Sequence, residues 1–190
     1  MDTMAGRPWE TLDSEVSYSC PGFDVVTDQV RLPSGEETDF DRVSLPESVV
    51  ILPFTPYGNV VVIDEWRQAV ERLNRGLPAG DVEEADEDRH AAARRELREE
   101  TGYEAGTLRH LTSVEPANGF SDAVFHYFVA RECEPTAEQA LDHNETIDVT
   151  TTNLDDLVMA ARDGSLRDGR TAFAVVHYAL FEISSGLPSW

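Results

Sequence analysis

The chain has 190 residues, 41% of them hydrophobic, which is enough for one domain of ordinary size with a buried core. It carries 37 acidic residues against 15 basic ones, a formal net charge of -22 at pH 7, and every basic residue is an arginine. Because this charge repels polyanions and anionic lipid surfaces, we expect neither nucleic acid nor a membrane as a partner.

The same charge predicts a salty environment. At molar salt the Debye length falls to roughly 3 Å, which screens the self-repulsion of so acidic a surface. We therefore expect a host that accumulates salt, such as a halophilic archaeon. An acidic protein from an ordinary host is the alternative, and the absence of lysine favours the first reading.

The first 45 residues predict a small antiparallel β region made of short strands. Turn-forming Pro33-Ser34-Gly35 separates the earlier strands from a later one. The predicted strands are Phe23 to Val26 and Gln29 to Leu32, on either side of Thr27-Asp28, and Thr38 to Val43.

Two β-branched runs follow, Ser48 to Pro53 and Asn59 to Trp66. The segment Thr55-Pro56-Tyr57-Gly58 between them predicts a hairpin loop.

The next segment predicts a helix that ends near Thr101, with Gly102 in the left-handed position that terminates many helices. Residues three and four apart share a helix face, so Glu96, Glu99 and Glu100 project to one side. Three carboxylates on one face favour a hard divalent cation such as Mg²⁺ or Mn²⁺, although a solvated acidic face is the plainer explanation. The other face is small and apolar, as expected for packing on a sheet, and comprises Ala91, Ala92, Ala93 and Leu97.

The remainder predicts three strands and two helices. The strands are Leu108 to Val114, Val124 to Ala130 and Ile147 to Thr151. Asn153 is a predicted N-cap for a helix over Leu154 to Arg162, and Thr171 for one over Ala172 to Phe181.

Targeting and redox features are sparse. The acidic first residues lack the basic start and apolar run of a signal peptide, and the stretch Ala172 to Ile183 is too short to span a bilayer. Cys20 and Cys133 lack any paired spacing, so we expect neither a zinc site nor a disulfide framework. These features predict a cytoplasmic protein.

The residues Glu87, then Arg95-Glu96-Leu97, Glu99-Glu100 and Gly102-Tyr103 resemble the signature of the Nudix hydrolases, G-x5-E-x7-R-E-U-x-E-E-x-G-U, where U is bulky and apolar. Counted back from Glu87, the first glycine of the signature falls on Asp81, while Gly80 lies one residue earlier. We interpret this as one extra residue in the loop before the helix.

Flanking segments are similar to the ADP-ribose pyrophosphatase branch of that family. Residues 60–80 contain an apolar strand that runs into Trp66-Arg67, and Gly119-Phe120-Ser121-Asp122 matches the substrate loop of the branch. Asn118 stands where the branch usually has a proline, which leaves other nucleoside diphosphate sugars open.

The resemblance implies an α/β fold, a Nudix-type α/β/α sandwich with a mixed sheet over residues 46–190, and an N-terminal antiparallel sheet over 1–45 that serves in a homodimer. It implies metal ligands Glu96, Glu99, Glu100 and the Ala79 carbonyl, with Glu99, Glu100 and Arg95 in the catalytic set. Arg67, Phe120, Ser121 and Asp122 are the predicted substrate contacts. A surface ion pair is the alternative for Arg67, and a packing role is the alternative for Phe120.

The general base is open among several acids. Glu145 matches a late-loop glutamate of the branch and is the first candidate, ahead of its rivals Asp142, Asp148, Glu83 and Glu84. The expected activity is metal-dependent cleavage of ADP-ribose to AMP and ribose 5-phosphate. The alternatives are hydrolysis of another nucleotide sugar or a dinucleoside polyphosphate, and a Nudix domain that senses a nucleotide without cleaving it.

Overall fold

The computed structural model describes residues 8–143 and 145–183. The first seven residues, on which the absence of a signal peptide was partly argued, lie outside these ranges. The chain forms two compact units, one with residues up to Glu47 together with Val114–Val124, and one with Ser48–Ser113 and the residues from Phe125 onward. The domain boundary expected from the sequence after residue 45 stays a prediction. The segment Val114–Val124 belongs to the same compact unit as the N-terminal strands.

The first unit is a three-stranded antiparallel sheet in the order β1-β2-β3. Its strands are β1 (Glu10–Cys20), β2 (Phe23–Arg31) and β3 (Glu37–Ser44). The prediction of a break at Thr27-Asp28 was wrong, because β2 runs through both residues. Asp28 is tolerated inside the strand since its carboxylate accepts hydrogen bonds from Ser14 and from Arg42.

The second unit contains the remaining elements. Its strands are β4 (Ser48–Pro53), β5 (Val60–Arg67), β6 (Arg72–Gly76), β7 (Ala79–Asp81), β8 (Tyr103–Glu104), β9 (Thr107–Val114), β10 (Phe125–Arg131), β11 (Glu134–Pro135) and β12 (Ile147–Thr152). Its helices are α1 (Arg89–Thr101), α2 (Leu154–Asp163) and α3 (Gly169–His177), with a 3₁₀ turn at Gln68–Val70 and a π-helical turn at Tyr178–Ile183.

A mixed sheet in the order β7-β4-β10-β9 lies at the centre of this unit. Strand β4 pairs parallel with β10 and antiparallel with β7. Every residue of β4 is buried, as expected for a strand covered on both faces. The mixed sheet is as predicted.

One helix covers each face of the mixed sheet. Ala92, Ala93 and Leu97 of α1 pack on Val49, Ile51, Phe128 and Ala130, which share one face because alternate residues of a strand point the same way. On the opposite face the Tyr127 ring contacts Phe173 of α3, with ring centroids 4.8 Å apart. The layers form the predicted α/β/α sandwich.

A second sheet, antiparallel in the order β12-β5-β6, shows that the predicted hairpin between β4 and β5 was wrong. The turn at Thr55 to Gly58 exists, but β4 and β5 belong to different sheets and share only a bridge between Phe54 and Val60. The two strands separate because each finds its partners elsewhere in sequence.

The ends of the three helices follow capping chemistry. Helix α1 begins after Asp88, whose side chain accepts from the Ala91 N–H at 2.8 Å, and ends at Gly102 with φ 73°, as predicted. Asn153 caps α2, also as predicted. The prediction of Thr171 as the cap of α3 was wrong, because Asp168 caps it and Thr171 lies in the first turn. Within the described ranges, no helix is long and apolar enough to cross a bilayer.

Candidate active site

Helix α1 presents its acidic face to a cleft of about 440 Å³ in the second unit. Glu96, Glu99 and Glu100 line this cleft together with Ala79 of β7, so the four predicted metal ligands lie along one wall. The other lining residues are Ser48, Arg67, Gly80, Asp81, Glu83, Arg95, Ala140, Asp142, Glu145 and Arg170.

Two of the carboxylates are buried. The pKa of Glu96 is raised to about 7 and that of Glu100 to about 8, mainly by loss of hydration, and the like charge of Glu145 contributes to both increases. The Ala79 N–H donates to Glu100 Oε2 at 2.9 Å, which fixes this side chain against β7. Two buried carboxylates one helical turn apart supply oxygen ligands of the kind that a divalent cation prefers.

Arg95 lies between these carboxylates and the loop before the helix. Its Nη1 donates to Glu96 at 2.7 Å and to Glu99 at 3.0 Å, while Nε and Nη2 donate to Asp86. Nη2 also donates to the Asp81 carbonyl. Arg95 is therefore committed to orienting the acidic face, and its pKa is raised by the hydrogen bond to Asp86 above all.

Asp86, rather than Glu87, supplies the acid that holds Arg95. The Asp86 side chain is 6% exposed and accepts from Arg95 at 2.9 Å, which lowers the pKa of this carboxyl, whereas Glu87 is exposed. The interpretation of Glu87 as the first acid of the signature, with the extra residue before it, was wrong. Gly80 and Asp86 keep the G-x5-acid spacing, and the extra residue falls between Asp86 and Arg95.

Gly80 leaves room for the Glu96 carboxylate beside it. A Cβ at this position would lie 2.3 Å from the carboxyl carbon of Glu96. The backbone of β7 thus approaches Glu96 as closely as only glycine allows.

The residues present fit a divalent cation by their chemistry, since carboxylate and carbonyl oxygens are the ligands that Mg²⁺ and Mn²⁺ prefer. Among residues 8–143 and 145–183, however, no three acidic or histidine side chains already converge as a ligand set. Glu96 and Glu99 instead turn to Arg95, so binding a metal requires them to exchange part of that contact for the ion.

The candidate base and two arginines also line this cleft. Glu145 Oε2 accepts from the Asp142 N–H at 3.0 Å, and both acids line the cleft. Arg67 lies 2.7 Å from the buried Glu65 carboxylate, a close ion pair without hydrogen-bond geometry at Glu65 Oε2. Arg170, which was not predicted from the sequence, lines the same cleft.

The other candidates for the general base differ in whether they line the cleft. Glu83 lines the cleft and lies 3.7 Å from Arg95. Asp148 is exposed on β12, where it pairs with Asp64 of β5, and neither it nor Glu84 is among the described residues that line the cleft. The geometry therefore leaves Glu145, Asp142 and Glu83 as candidates.

The predicted substrate loop belongs to the first unit. Asp122 accepts from Arg42 and Ser44 at 2.8 Å each and from the Leu45 N–H at 3.0 Å, so its carboxylate is occupied in holding the loop to β3. Phe120 is 60% exposed, and the Ser121 hydroxyl accepts from the Ala123 N–H. Substrate contact by Phe120, Ser121 and Asp122 stays a prediction.

Comparisons with known proteins agree on the family. The profile of the NUDIX domain matches residues 44–172. The chain is 31% identical over 174 residues to the ADP-ribose pyrophosphatase of Bacillus subtilis, covering 91% of this chain and 94% of that protein. It is 30% identical, with the same coverage of both chains, to the methanol dehydrogenase activator of Bacillus methanolicus.

A solved structure described as an ADP compounds hydrolase superposes with a TM-score of 0.82 at 21% identity, over 95% of this chain and 97% of that one. This likeness confirms the predicted Nudix fold. On the matched domain, and on the identity to relatives of nearly equal length, the chain belongs to the Nudix family.

Proposed function

We propose that this chain is a metal-dependent pyrophosphohydrolase that cleaves the diphosphate of ADP-ribose, giving AMP and ribose 5-phosphate. The observation that carries the proposal is the buried pair Glu96 and Glu100 on the wall of an open cleft. Relatives named ADP-ribose pyrophosphatase in Bacillus subtilis and Mycobacterium tuberculosis support the substrate.

Nudix ADP-ribose pyrophosphatases generally use divalent metals, and we propose Mg²⁺ or Mn²⁺ here. Glu96, Glu99 and Glu100 would hold the ion with the Ala79 carbonyl. A divalent ion supplies charge neutralisation at the phosphoryl oxygens and a lowered pKa of bound water. Arg95 orients Glu96 and Glu99, so its role in catalysis acts through the carboxylates.

Glu145 is our candidate for the general base, because it projects into the cleft close enough for its charge to raise the pKa of both Glu96 and Glu100. It would accept a proton from the attacking water. Removal of this acid should lower kcat more than it raises KM, as expected for a group that acts in the transition state.

The experiment compares ADP-ribose turnover by the wild type, Glu100→Gln and Glu104→Gln with Mg²⁺. Glu104 is an exposed residue of β8, so its variant carries the same chemical change outside the cleft. Glu100→Gln should lose most activity, at least about a hundredfold, whereas Glu104→Gln should match the wild type. Equal activity in Glu100→Gln and Glu104→Gln would overturn the site assignment.

A nucleotide-sensing role without hydrolysis is the second hypothesis. It is supported by a relative that is named a methanol dehydrogenase activator. The complete carboxylate set of α1 favours hydrolysis. Binding of ADP-ribose without release of AMP, under either metal, would support the sensor instead.

We also propose a homodimer formed through the first unit, a cytoplasmic location and a salt-adapted host. Val16 and Tyr18 of the N-terminal sheet and Trp9 just before it are each more than half accessible, and such apolar side chains are typical of contact surfaces. Light scattering at molar salt tests the dimer, and a monomer at all concentrations would contradict it. Loss of the fold on removal of salt, and its return with KCl, would support salt adaptation.

A further inference from the structure

The cleft poses an electrostatic problem for its proposed substrate. Seven acidic side chains and three arginines line it, while the diphosphate of ADP-ribose carries two negative charges. A dianion entering this cleft needs cations that are not already committed to carboxylates of the protein.

The arginines Arg67, Arg95 and Arg170 differ in how far they are committed. Arg95 makes hydrogen bonds through all three of its nitrogen atoms. Arg67 lies 2.7 Å from Glu65, its buried neighbour two residues away on β5.

Arg170 is less engaged. Its one hydrogen bond to a described residue is a long contact of 3.4 Å from Nε to Asp168 Oδ1, which leaves the two terminal amino groups of the guanidinium without partners among residues 8–143 and 145–183. The side chain is nonetheless only 25% exposed. A partly buried arginine with a free guanidinium fork is suited to two oxygens of a phosphoryl group.

The position of Arg170 is fixed by the residue after it. Thr171 is completely buried, and its hydroxyl accepts from the Leu77 N–H at 2.9 Å while donating to Asp168 at 2.5 Å. Leu77 precedes the β7 segment that carries Ala79 and Gly80, so the first turn of α3 is attached to the same backbone that supports Glu96 and Glu100. Arg170 therefore extends from a rigid base into the cleft.

A second observation places Arg170 close to Glu65. Its charge and that of Arg67 both act on the buried Glu65, while Glu145 acts on Glu65 with the opposite sign. Arg170 thus lies in the same charge network as Arg67 and the candidate base.

From this geometry we infer that Arg170 is a substrate-binding residue that contacts phosphoryl oxygens of the diphosphate. The inference rests on the proposed function, because the diphosphate is the ligand that the free guanidinium fork receives. Arg170 and the metal-binding carboxylates would hold the substrate from two different helices, α3 and α1.

The test measures steady-state kinetics with ADP-ribose at saturating Mg²⁺ for the wild type, Arg170→Ala, Arg170→Lys and Arg167→Ala. Arg167 is an exposed arginine just before α3 and serves as the matched control for loss of one positive charge. We expect kcat/KM to fall about tenfold or more in Arg170→Ala, mainly through KM, since a charged hydrogen bond is lost. Arg170→Lys keeps the charge but loses the fork, so its kcat/KM should fall between those of the wild type and Arg170→Ala.

Binding of the nonhydrolysable α,β-methylene analogue of ADP-ribose, measured by calorimetry with Mg²⁺, gives a readout independent of turnover. Its Kd should rise by a similar factor in Arg170→Ala and stay within twofold in Arg167→Ala. Mg²⁺ titrations separate this role from simple charge balance. If Arg170 only offset the carboxylates, its removal would tighten Mg²⁺ binding and leave the KM for ADP-ribose at saturating metal unchanged, which would overturn the inference.

The outcomes also separate this inference from the proposed function. Normal wild-type turnover of ADP-ribose with Arg170→Ala equal to Arg167→Ala would refute the role of Arg170 alone. A wild type that neither cleaves ADP-ribose nor binds its analogue would refute the proposed function and the inference with it.

Discussion

Replacing Gly80 with alanine tests whether the close approach of β7 to Glu96 sets the geometry of the site. A Cβ at Gly80 would lie 2.3 Å from the carboxyl carbon of Glu96 and 2.3 and 2.4 Å from its two oxygens. Ordinary contact begins near 3.4 Å, so the carboxylate has to retreat by about 1 Å. A misplacement of that size in a catalytic constellation costs about a hundredfold in rate.

The assay is kcat/KM for ADP-ribose with Mg²⁺, together with the thermal unfolding midpoint. We expect a loss of about a hundredfold in Gly80→Ala with little change in stability, because Glu96 can move toward the open cleft. Gly169→Ala is the matched control, since a Cβ there meets nothing within 4 Å. Activity of Gly80→Ala within threefold of the control would refute the claim that Glu96 must lie against this backbone.

Two further predictions concern stability. A carboxyl whose pKa is higher in the folded chain than in the unfolded chain stabilises the fold below the unfolded value of 4.5, and this stabilisation is lost as the pH rises through about 7 for Glu96 and about 8 for Glu100. The free energy of unfolding of the metal-free protein should therefore fall by up to about 1.4 kcal/mol per pH unit for each of the two carboxyl groups. The increase in Tm on adding Mg²⁺ should be larger at pH 8 than at pH 5.5. An equal increase in Tm at the two pH values would contradict this prediction. Thr171→Val leaves the buried Leu77 N–H without its acceptor and should lower the free energy of unfolding by about 1 to 3 kcal/mol. The same change at exposed Thr107 should have little effect. Denaturant unfolding compares the two variants, and equal midpoints would show that the hydrogen bond between Thr171 and Leu77 contributes nothing to stability.

The sequence was most informative where local spacing determines structure. The three-and-four spacing of Glu96, Glu99 and Glu100 and the terminal Gly102 are properties of one helix, so the acidic face and its end were predictable. Strand β4 was also predicted to the residue, because a short apolar run rich in β-branched residues and closed by proline favours a buried strand.

The sequence was less informative where a local signal has two solutions. Asp86 and Glu87 are adjacent acids, and which one reaches Arg95 depends on the turn in which Asp86 accepts from the Glu83 N–H. Asp168 and Thr171 are both good N-cap residues, and the buried bond to Leu77 places the threonine inside the first turn instead.

Features that depend on distant parts of the chain could not be predicted. Arg170 reaches the cleft because α3 is attached to the segment before β7, 94 residues earlier in the chain. Strand β1 was missed because almost all of its side chains are exposed, so its sequence lacks the alternating pattern that a half-buried strand shows.

The most direct test of the central claim is product analysis of the wild-type protein in high salt with Mg²⁺ or Mn²⁺. ADP-ribose, UDP-sugars, GDP-mannose, NADH and diadenosine polyphosphates would be compared as substrates. The account predicts that ADP-ribose is cleaved most efficiently, with AMP and ribose 5-phosphate as the products. Preferred cleavage of another compound would contradict the assigned substrate, and nucleotide binding without turnover of any of them under either metal would contradict the assignment of a hydrolase.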